Sequence, residues 1–206
     1  MEKIVLVGGG GHALSVADSI MQRGEYDIVG YTDLKQNDSF EYRYLGNDDI
    51  LQKCYNEGVK NAFICLGYLG SGRSRDELYI KLRDIGFEVP SIVDKTAAVA
   101  CDCKLGEGVF VGKNAVINSG SIVGNMAIIN TGAIIEHSCR VGAYSHVAVG
   151  SVLCGEVIVG EHTLIGAGSN ILQGIHVGDD CIIGMGSNVL TDVENRQKRF
   201  GLIKDE

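Results

Sequence analysis

The sequence has no run of eighteen apolar residues, no Cys-x-x-Cys pair and only one proline. It also begins without the long hydrophobic stretch of a signal peptide, so we expect a cytoplasmic protein that does not cross a membrane. The net charge of −8 argues against nucleic acid as a partner, because phosphate backbones attract basic surfaces. The seven cysteines are an odd number, so we expect reduced side chains that pack in the interior.

A strict repeat dominates the second half of the chain. Every sixth residue from Val93 to Val189 is Val, Ile or Leu. A helix repeats every 3.6 residues and a strand every two, so neither explains this period. A parallel β-helix does, because each hexapeptide forms one side of a prism and its aliphatic residue points to the axis. Small residues such as Ala115 and Ser121 fit the corners, and a glycine often follows the aliphatic residue, where we expect a sharp turn.

The first ninety residues follow a different pattern. Short aliphatic strands alternate with stretches of helical spacing, the strands at 3–7, 26–31 and 61–66 and the helices at 13–23, 48–57 and 74–85. This alternation predicts a small Rossmann-like parallel α/β sheet, and the single proline, Pro90, marks its end. The sequence therefore predicts an α/β domain over residues 1–90, a β-helix over 91–195 and a C-terminal tail over 196–206.

A glycine-rich turn joins the first strand to the first helix. Gly8-Gly9-Gly10-Gly11-His12 has Asp33 about twenty residues beyond it, the spacing of a dinucleotide fingerprint. The glycines let the backbone approach a pyrophosphate, and Asp33 is placed to accept hydrogen bonds from a ribose or a base. Ninety residues are too few for both halves of a dinucleotide domain, so a mononucleotide diphosphate fits better than NAD. A tight turn without a ligand is the alternative, and His12 either orients the turn or meets phosphate.

The combination of this unit with the prism resembles the PglD/NeuD-like family of hexapeptide-repeat nucleotide-sugar acetyltransferases. The resemblance is strongest over Gly8–Ala13, Asn130–His137, Tyr144–Val147 and Val149–Gly155. It implies a left-handed prism with three hexapeptides per coil, and a homotrimer. It also implies that acetyl-CoA, without a metal, acetylates the amino group of a nucleotide-linked amino-sugar such as a UDP-4-amino-sugar. The loop Gly67–Arg73 and the C-terminal end depart from the family's pattern.

The family's functional residues map onto three groups in this chain. The resemblance implies a general base at His137, with Glu136 before it, and a backbone N–H at Gly155 that holds the acetyl carbonyl. Residues expected to contact the nucleotide-sugar are Gly8, Gly9, Gly10, Gly11, His12, Asp33 and Asn130. Residues expected to contact acetyl-CoA are His146, Gly155, Ala167, Arg196, Lys198 and Arg199. The last three come from the sequence and not from the resemblance: no Lys or Arg occurs between Val141 and Asn195, and this cluster directly follows the last coil. A solvated charged tail is the alternative.

The coil length gives two geometric expectations. Eighteen residues separate His137 from Gly155, so these two residues should be neighbours in consecutive coils. Nine residues, half a coil, separate His137 from His146. The two histidines should therefore lie on opposite sides of one prism and meet only across a subunit interface.

Three other functions match parts of the pattern. A carbonic anhydrase built on the same prism needs three histidines around zinc, and His162 and His176 lie far along the prism from His137. A non-catalytic nucleotide-sugar-binding protein needs the glycine turn but no Glu-His pair. An O-acetyltransferase for a sugar such as sialic acid would use the same base and the same CoA site. His162 and His176 are expected to be exposed surface residues.

Overall fold

The structure is a computed structural model that describes residues 1–204, and it forms two compact units. The first unit contains Met1–Gly67 and Arg73–Lys95. The second contains Tyr68–Gly72 and the chain from Thr96 onward. The sequence places the boundary at residue 90, five residues before the point at which the two units divide.

The first unit alternates strands and helices around a parallel sheet with the strand order β3-β2-β1-β4. The short strand β3 has half-buried side chains and no aliphatic run, which is why the sequence did not predict it. The elements are β1 (Glu2–Val7), α1 (Gly11–Arg23), β2 (Tyr26–Thr32), β3 (Tyr44–Gly46), a 3-10 helix (Asp48–Ile50), α2 (Leu51–Asn56), β4 (Asn61–Ile64), α3 (Ser74–Ile85) and β5 (Ile92–Val93).

Strand β1 and helix α1 build the part of this unit that carries the glycine turn. The four residues from Ile4 to Val7 are at most 1% exposed, as expected for a central strand covered on both faces. Helix α1 buries Val16 and Ile20 on one face. It ends at Gly24, whose φ of 67° is left-handed and whose N–H donates to Ile20 O. The glycine turn is therefore held between two well-packed elements.

The second unit is a parallel β-helix, as the repeat predicts. Paired strands are eighteen residues apart, so that Ile122 pairs with Arg140 and each coil holds three hexapeptides. The strands are β6 (Ala98–Val99), β7 (Lys104–Leu105), β8 (Phe110–Val111), β9 (Val116–Ile117), β10 (Ile122–Val123), β11 (Ile128–Ile129), β12 (Ile134–Ile135), β13 (Arg140–Val141), β14 (His146–Val147), β15 (Val152–Leu153), β16 (Ile158–Val159), β17 (Leu164–Ile165), β18 (Asn170–Ile171), β19 (His176–Val177), β20 (Ile182–Ile183), β21 (Asn188–Val189), β22 (Lys198–Arg199) and β23 (Leu202–Ile203).

These strands form the three faces of the prism. The first face has the order β19-β16-β13-β10-β7, the second runs β22-β20-β17-β14-β11-β8, and the third runs β23-β21-β18-β15-β12-β9-β6. The aliphatic residues of the repeat from Ile117 to Val189 are at most 2% exposed and fill the axis. Buried hydroxyls at the small position are paired between coils: Ser145 Oγ donates to Gly160 O at 2.6 Å and accepts from Thr163 N at 2.9 Å.

The corners of the prism turn at a different residue from the expected one. Every sixth residue from Gly108 to Gly186 has a positive φ, and this residue is not the glycine after the aliphatic position. Where a glycine follows the aliphatic residue, it serves a different purpose: it leaves space for the close approach of the next coil. A Cβ on Gly124 would lie 2.6 Å from Ala143 N in the next coil.

Residues 198–203 continue the prism, which corrects the expectation that residues 196–206 form a tail after it. Lys198 pairs with Ile182, and Leu202 pairs with Asn188. These spacings are shorter than eighteen residues, so the hexapeptide pattern is lost from the sequence although the strands continue. Asp205 and Glu206, which the sequence analysis includes in the tail, lie outside the described residues.

Candidate active site

The glycine turn of the first unit lines a cavity of about 340 Å³. Gly8 has a φ of 101°, and its N–H donates to Thr32 O at 2.8 Å. A Cβ on Gly8 would also lie 2.7 Å from the Leu66 side chain, so glycine alone fits at this point. The other residues that line the cavity are Val7, Gly10, Gly11, His12, Asp33, Leu34, Asp48, Cys65, Gly67 and Leu78.

Gly10 and Gly11 leave open space at the start of α1. An added Cβ on either residue would have no other atom within 4 Å. Gly10 is the N-cap of α1, and no side chain caps the helix there. The first N–H groups of the helix and the positive end of its dipole therefore face a space that can hold an anion. His12 is half-buried and lines the same cavity.

Asp33 holds the glycine turn in place. Its Oδ2 accepts from Gly9 N at 2.8 Å, and its Oδ1 accepts from Leu34 N at 2.7 Å. Asn37 adds a second support, because its Nδ2 donates to Gly9 O at 2.7 Å. Each carboxylate oxygen has a second lone pair. Asp33 can thus orient the turn and still accept a hydrogen bond from a ligand in the cavity.

His137 and Gly155 occupy the same corner in consecutive coils of the second unit, as the coil length predicts. His137 is exposed, and Glu156 N donates to His137 O at 2.9 Å. A Cβ on Gly155 would lie 2.5 Å from both Cε1 and Nε2 of the imidazole. The ring therefore lies directly against the backbone of Gly155, and only glycine leaves room for it.

The Glu136 carboxylate is held beside the main chain of His137. Asn118 Nδ2 donates to Glu136 Oε2 at 3.0 Å, and the same oxygen lies 3.4 Å from His137 N. Asn118 was not among the site residues predicted from the sequence. The signal that finds it is the eighteen-residue offset, which places Asn118 directly below Glu136 in the preceding coil.

His146 lies inside a network of the chain's own groups. The side chain is on β14, and the residue is 7% exposed. Its Nδ1 lies 2.7 Å from Tyr68 O, and its Nε2 lies 3.1 Å from Asn130 Nδ2. The structure thus brings together Asn130 and His146, which the resemblance assigns to different ligands. It adds Tyr68, which lies in the loop Gly67–Arg73, for which the sequence predicts no role.

Tyr68 also contacts His162, which is half-buried and therefore differs from the expected surface residue. The Tyr68 hydroxyl donates to His162 O at 2.6 Å. The His162 ring stacks on Tyr144, with ring centroids 4.8 Å apart and an interplanar angle of 2°. Both stacked residues have a positive φ and occupy the same corner in consecutive coils, so the coil spacing sets the stack. His176 is exposed, as expected.

The residues expected to bind CoA phosphates lie in the last coils. Lys198 and Arg199 are exposed on β22, which belongs to the same face of the prism as His146. Arg196 is exposed at a corner, where its N–H donates to Asp179 O at 2.7 Å. Ala167 is half-buried, and it lies eighteen residues before the exposed Met185. These predicted CoA-binding residues are therefore distributed over several coils of the prism.

Two further observations concern metal binding and membrane crossing. Within the described residues 1–204, no group of three or more His, Cys, Asp or Glu side chains is arranged to hold a metal ion. No helix in that part of the chain is long and apolar enough to cross a membrane.

Two family models match the chain, one in each half. The PglD N-terminal domain matches residues 3–82. The hexapeptide repeat of succinyl-transferase matches residues 103–137 and 156–190. The chain belongs to the PglD/NeuD-like family of hexapeptide-repeat nucleotide-sugar acetyltransferases, a class of acetyl-CoA-dependent enzymes with a left-handed β-helix.

Solved structures of similar proteins support the same family assignment over almost the whole chain. PerB from Caulobacter crescentus, solved in complex with CoA and GDP-perosamine, is 34% identical over 98% of this chain and 95% of PerB, with a TM-score of 0.90. The acetyltransferase domain of PglB from Neisseria gonorrhoeae is 26% identical over 98% of this chain and 97% of that domain, with a TM-score of 0.90. WeeI from Acinetobacter baumannii, at 15% identity and a TM-score of 0.65, covers 98% of this chain and 97% of its own and shows the fold alone.

Proposed function

We propose that this enzyme transfers the acetyl group of acetyl-CoA to the amino group of a nucleotide-linked amino-sugar. The contact between the exposed His137 imidazole and the buried Gly155 backbone carries the proposal, because an imidazole that can act as a base lies beside a main-chain amide. PerB, which is solved with CoA and GDP-perosamine, supports this class of substrate. The PglB domain, solved in complex with acetyl coenzyme A, supports the acetyl donor.

The proposed reaction is a direct transfer. The sugar amine attacks the thioester carbonyl, and the neutral His137 imidazole removes a proton from the amine as the C–N bond forms. Gly155 N–H stabilises the tetrahedral oxyanion. The C–S bond then breaks, and the proton passes to the departing CoA sulfur. Glu136, fixed by Asn118, holds the main chain of His137 in position.

The nucleotide part of the substrate is assigned to the cavity of the first unit. The open space at Gly10 and Gly11 accommodates a diphosphate at the start of α1. Gly8 and Gly9 shape the turn, His12 lines the cavity, and Asp33 accepts from the ribose or base. Asn130 is assigned to the acceptor sugar near the reacting centre.

Acetyl-CoA is assigned to the prism. Gly155 holds the acetyl end and Ala167 lies along the path of the pantetheine arm. The phosphates meet Arg196, Lys198 and Arg199, because the preceding coils from Val141 to Asn195 contain no Lys or Arg. The seven free cysteines support a reducing, cytoplasmic compartment for the enzyme.

We further propose a homotrimer in which the active site forms between subunits. His137 and His146 are half a coil apart and therefore face different sides of one prism. Outward residues of the third face, among them Val116, Ile134 and Val152, are apolar and suit burial against another copy. Sedimentation equilibrium at micromolar concentration is expected to give a trimer, and a stable monomer would contradict this assembly.

The function is tested by incubating the enzyme with acetyl-CoA and a panel of sugar nucleotides while free thiol is measured. The panel pairs each 4-amino-sugar nucleotide with its hydroxyl counterpart and with free sialic acid. Thiol release that requires the amine supports N-acetylation. Release with the hydroxyl compound or with sialic acid instead would favour O-acetylation, and binding without release would indicate a non-catalytic protein.

A further inference from the structure

We infer that the loop Tyr68–Gly72, which we call the strap, positions His146 and Asn130 for acetyl transfer, and that Tyr68 is a positioning residue. The strap and the prism belong to the same compact unit, so its contacts with the prism can be described directly. The effect of the strap on catalysis rests on the proposed function, whereas the contacts of the strap with the prism do not.

The strap is attached to the prism at two points besides His146. The Tyr68 side chain is buried, with the residue 6% exposed, and its hydroxyl donates to His162 O at 2.6 Å. Gly70 has a φ of 84°, and a Cβ there would lie 2.7 Å from the Ile182 side chain. Glycine is therefore required both for the turn and for the close packing. These contacts fix the position of the Tyr68 carbonyl.

A hydrogen-bonded relay runs from the prism corner to this carbonyl. Thr131 N donates to Asn130 Oδ1 at 2.8 Å, and Asn130 Nδ2 lies 3.1 Å from His146 Nε2. His146 Nδ1 lies 2.7 Å from Tyr68 O. A backbone N–H can only donate and a backbone carbonyl can only accept. The two ends of the relay therefore fix the direction of every bond between them.

This direction determines the state of His146. Its Nδ1 carries the hydrogen and donates to Tyr68 O, while its Nε2 accepts from Asn130. A hydrogen on Nε2 would place two N–H groups face to face, so the relay favours one neutral tautomer. Both ring nitrogens are engaged within the chain, and His146 therefore acts through Asn130 and not as a base.

The relay also fixes the Asn130 amide. Its oxygen accepts from Thr131 N, so the amide cannot rotate without losing this bond and the bond to His146. The Nδ2 group carries a second hydrogen that these bonds do not use. Asn130 is half-buried at the corner after β11, and we expect this second N–H to be directed at the reactants.

The first test compares Tyr68→Phe with the wild-type enzyme. This substitution removes the hydroxyl that holds the strap and leaves the ring and the carbonyl in place. We expect faster amide hydrogen exchange at residues 68–72, a mixture of His146 tautomers in ¹⁵N imidazole spectra, and a kcat about three- to tenfold lower, the effect of losing one hydrogen bond. Tyr26→Phe, on β2 of the first unit, is the matched control and should change none of the three.

A second pair of variants separates the two bonds of His146. In His146→Asn the amide N–H can replace Nδ1–H and keep the bond to Tyr68 O. In His146→Gln the amide oxygen can replace Nε2 and keep the bond to Asn130. Both variants are expected to lower kcat, but only the Gln variant should speed exchange in the strap.

Three results would overturn the inference. The first is an Nε2–H tautomer in the free wild-type protein. The second is a Tyr68→Phe enzyme with unchanged exchange and kcat, and the third is faster exchange with unchanged tautomer and kcat. The spectra and the exchange are measured on the free protein. Failure of the wild type to acetylate any amino-sugar nucleotide would therefore refute the proposed function, while the relay would still be decided by its own measurements.

Discussion

The imidazole of His137 packs against the backbone of Gly155 in the next coil, and the contact leaves no room for a side chain between them. A parallel β-helix repeats its path every eighteen residues, so this contact is a direct consequence of the coil length. The same offset places Asn118 against Glu136. The fold itself thus brings together the groups to which we assign the chemistry.

Replacing Gly155 with alanine should displace the base. The new Cβ would lie 2.5 Å from Nε2 and Cε1, so the ring must move, and a displacement of about 1 Å can cost roughly a hundredfold in rate. We expect kcat to fall on that order while the KM for the nucleotide-sugar changes less than about twofold. Steady-state kinetics provide the test, with Cys154→Ala as the neighbouring control. An unchanged kcat would mean that the ring position is unimportant.

Replacing Gly10 with valine should block the diphosphate site without disturbing the fold. Gly10 has a φ of −84° and a ψ of −168°, which valine adopts readily, and the added Cβ points into open space. We expect the KM for the nucleotide-sugar to rise by about tenfold or more, equivalent to about 1.4 kcal/mol. Acetyl-CoA affinity, measured by calorimetry, should stay unchanged. Equal nucleotide-sugar affinity in both proteins would place the diphosphate elsewhere.

Neutralising the last basic cluster should weaken acetyl-CoA binding. Because Lys198 and Arg199 lie in a paired strand, substitution is a cleaner test than truncation. The triple change of Arg196, Lys198 and Arg199 to Gln should reduce affinity most at low ionic strength, where screening is weakest. A control with three lysines of the first unit replaced by Gln, at positions 35, 53 and 81, alters the net charge equally. The same loss in both triple variants would argue against a specific phosphate contact.

Thiol reactivity should distinguish the buried cysteines from the exposed ones. Burial raises the pKa of Cys139 to about 11, so roughly 0.3% of this thiol is ionised at pH 8.5. Cys101 is exposed. Iodoacetamide at pH 8.5 should therefore label Cys101 first and leave Cys139 unmodified until the protein is denatured, as followed by peptide mass spectrometry. Equal labelling of both cysteines in the native protein would contradict this account of the interior.

The sequence was sufficient to predict the prism because its period is strict. Each aliphatic residue of the repeat, such as Val147, is buried at the axis because of its position within its own coil, so the sequence alone locates it. The contact between His137 and Gly155 followed by the same arithmetic. The glycine turn could also be predicted, because a strand, a turn and a helix follow one another directly along the chain.

The strap was not predictable, because its contacts are far from it in sequence. Tyr68 is 78 residues from His146 and 94 residues from His162. No repeat or local motif relates these positions, so only the folded chain shows that they meet. Strands β22 and β23 were missed for another reason, since their shorter spacing breaks the hexapeptide pattern while their hydrogen bonds continue the sheets.

The most direct measurement is the kcat of His137→Ala, determined in protein whose oligomeric state and substrate affinities match those of the wild type. His176→Ala, which removes an exposed histidine from the same prism, is the control. If His137 is the general base, kcat should fall by about 10²–10⁴ in the first variant and remain unchanged in the second. A loss of less than about tenfold in His137→Ala would show that this residue is not the base.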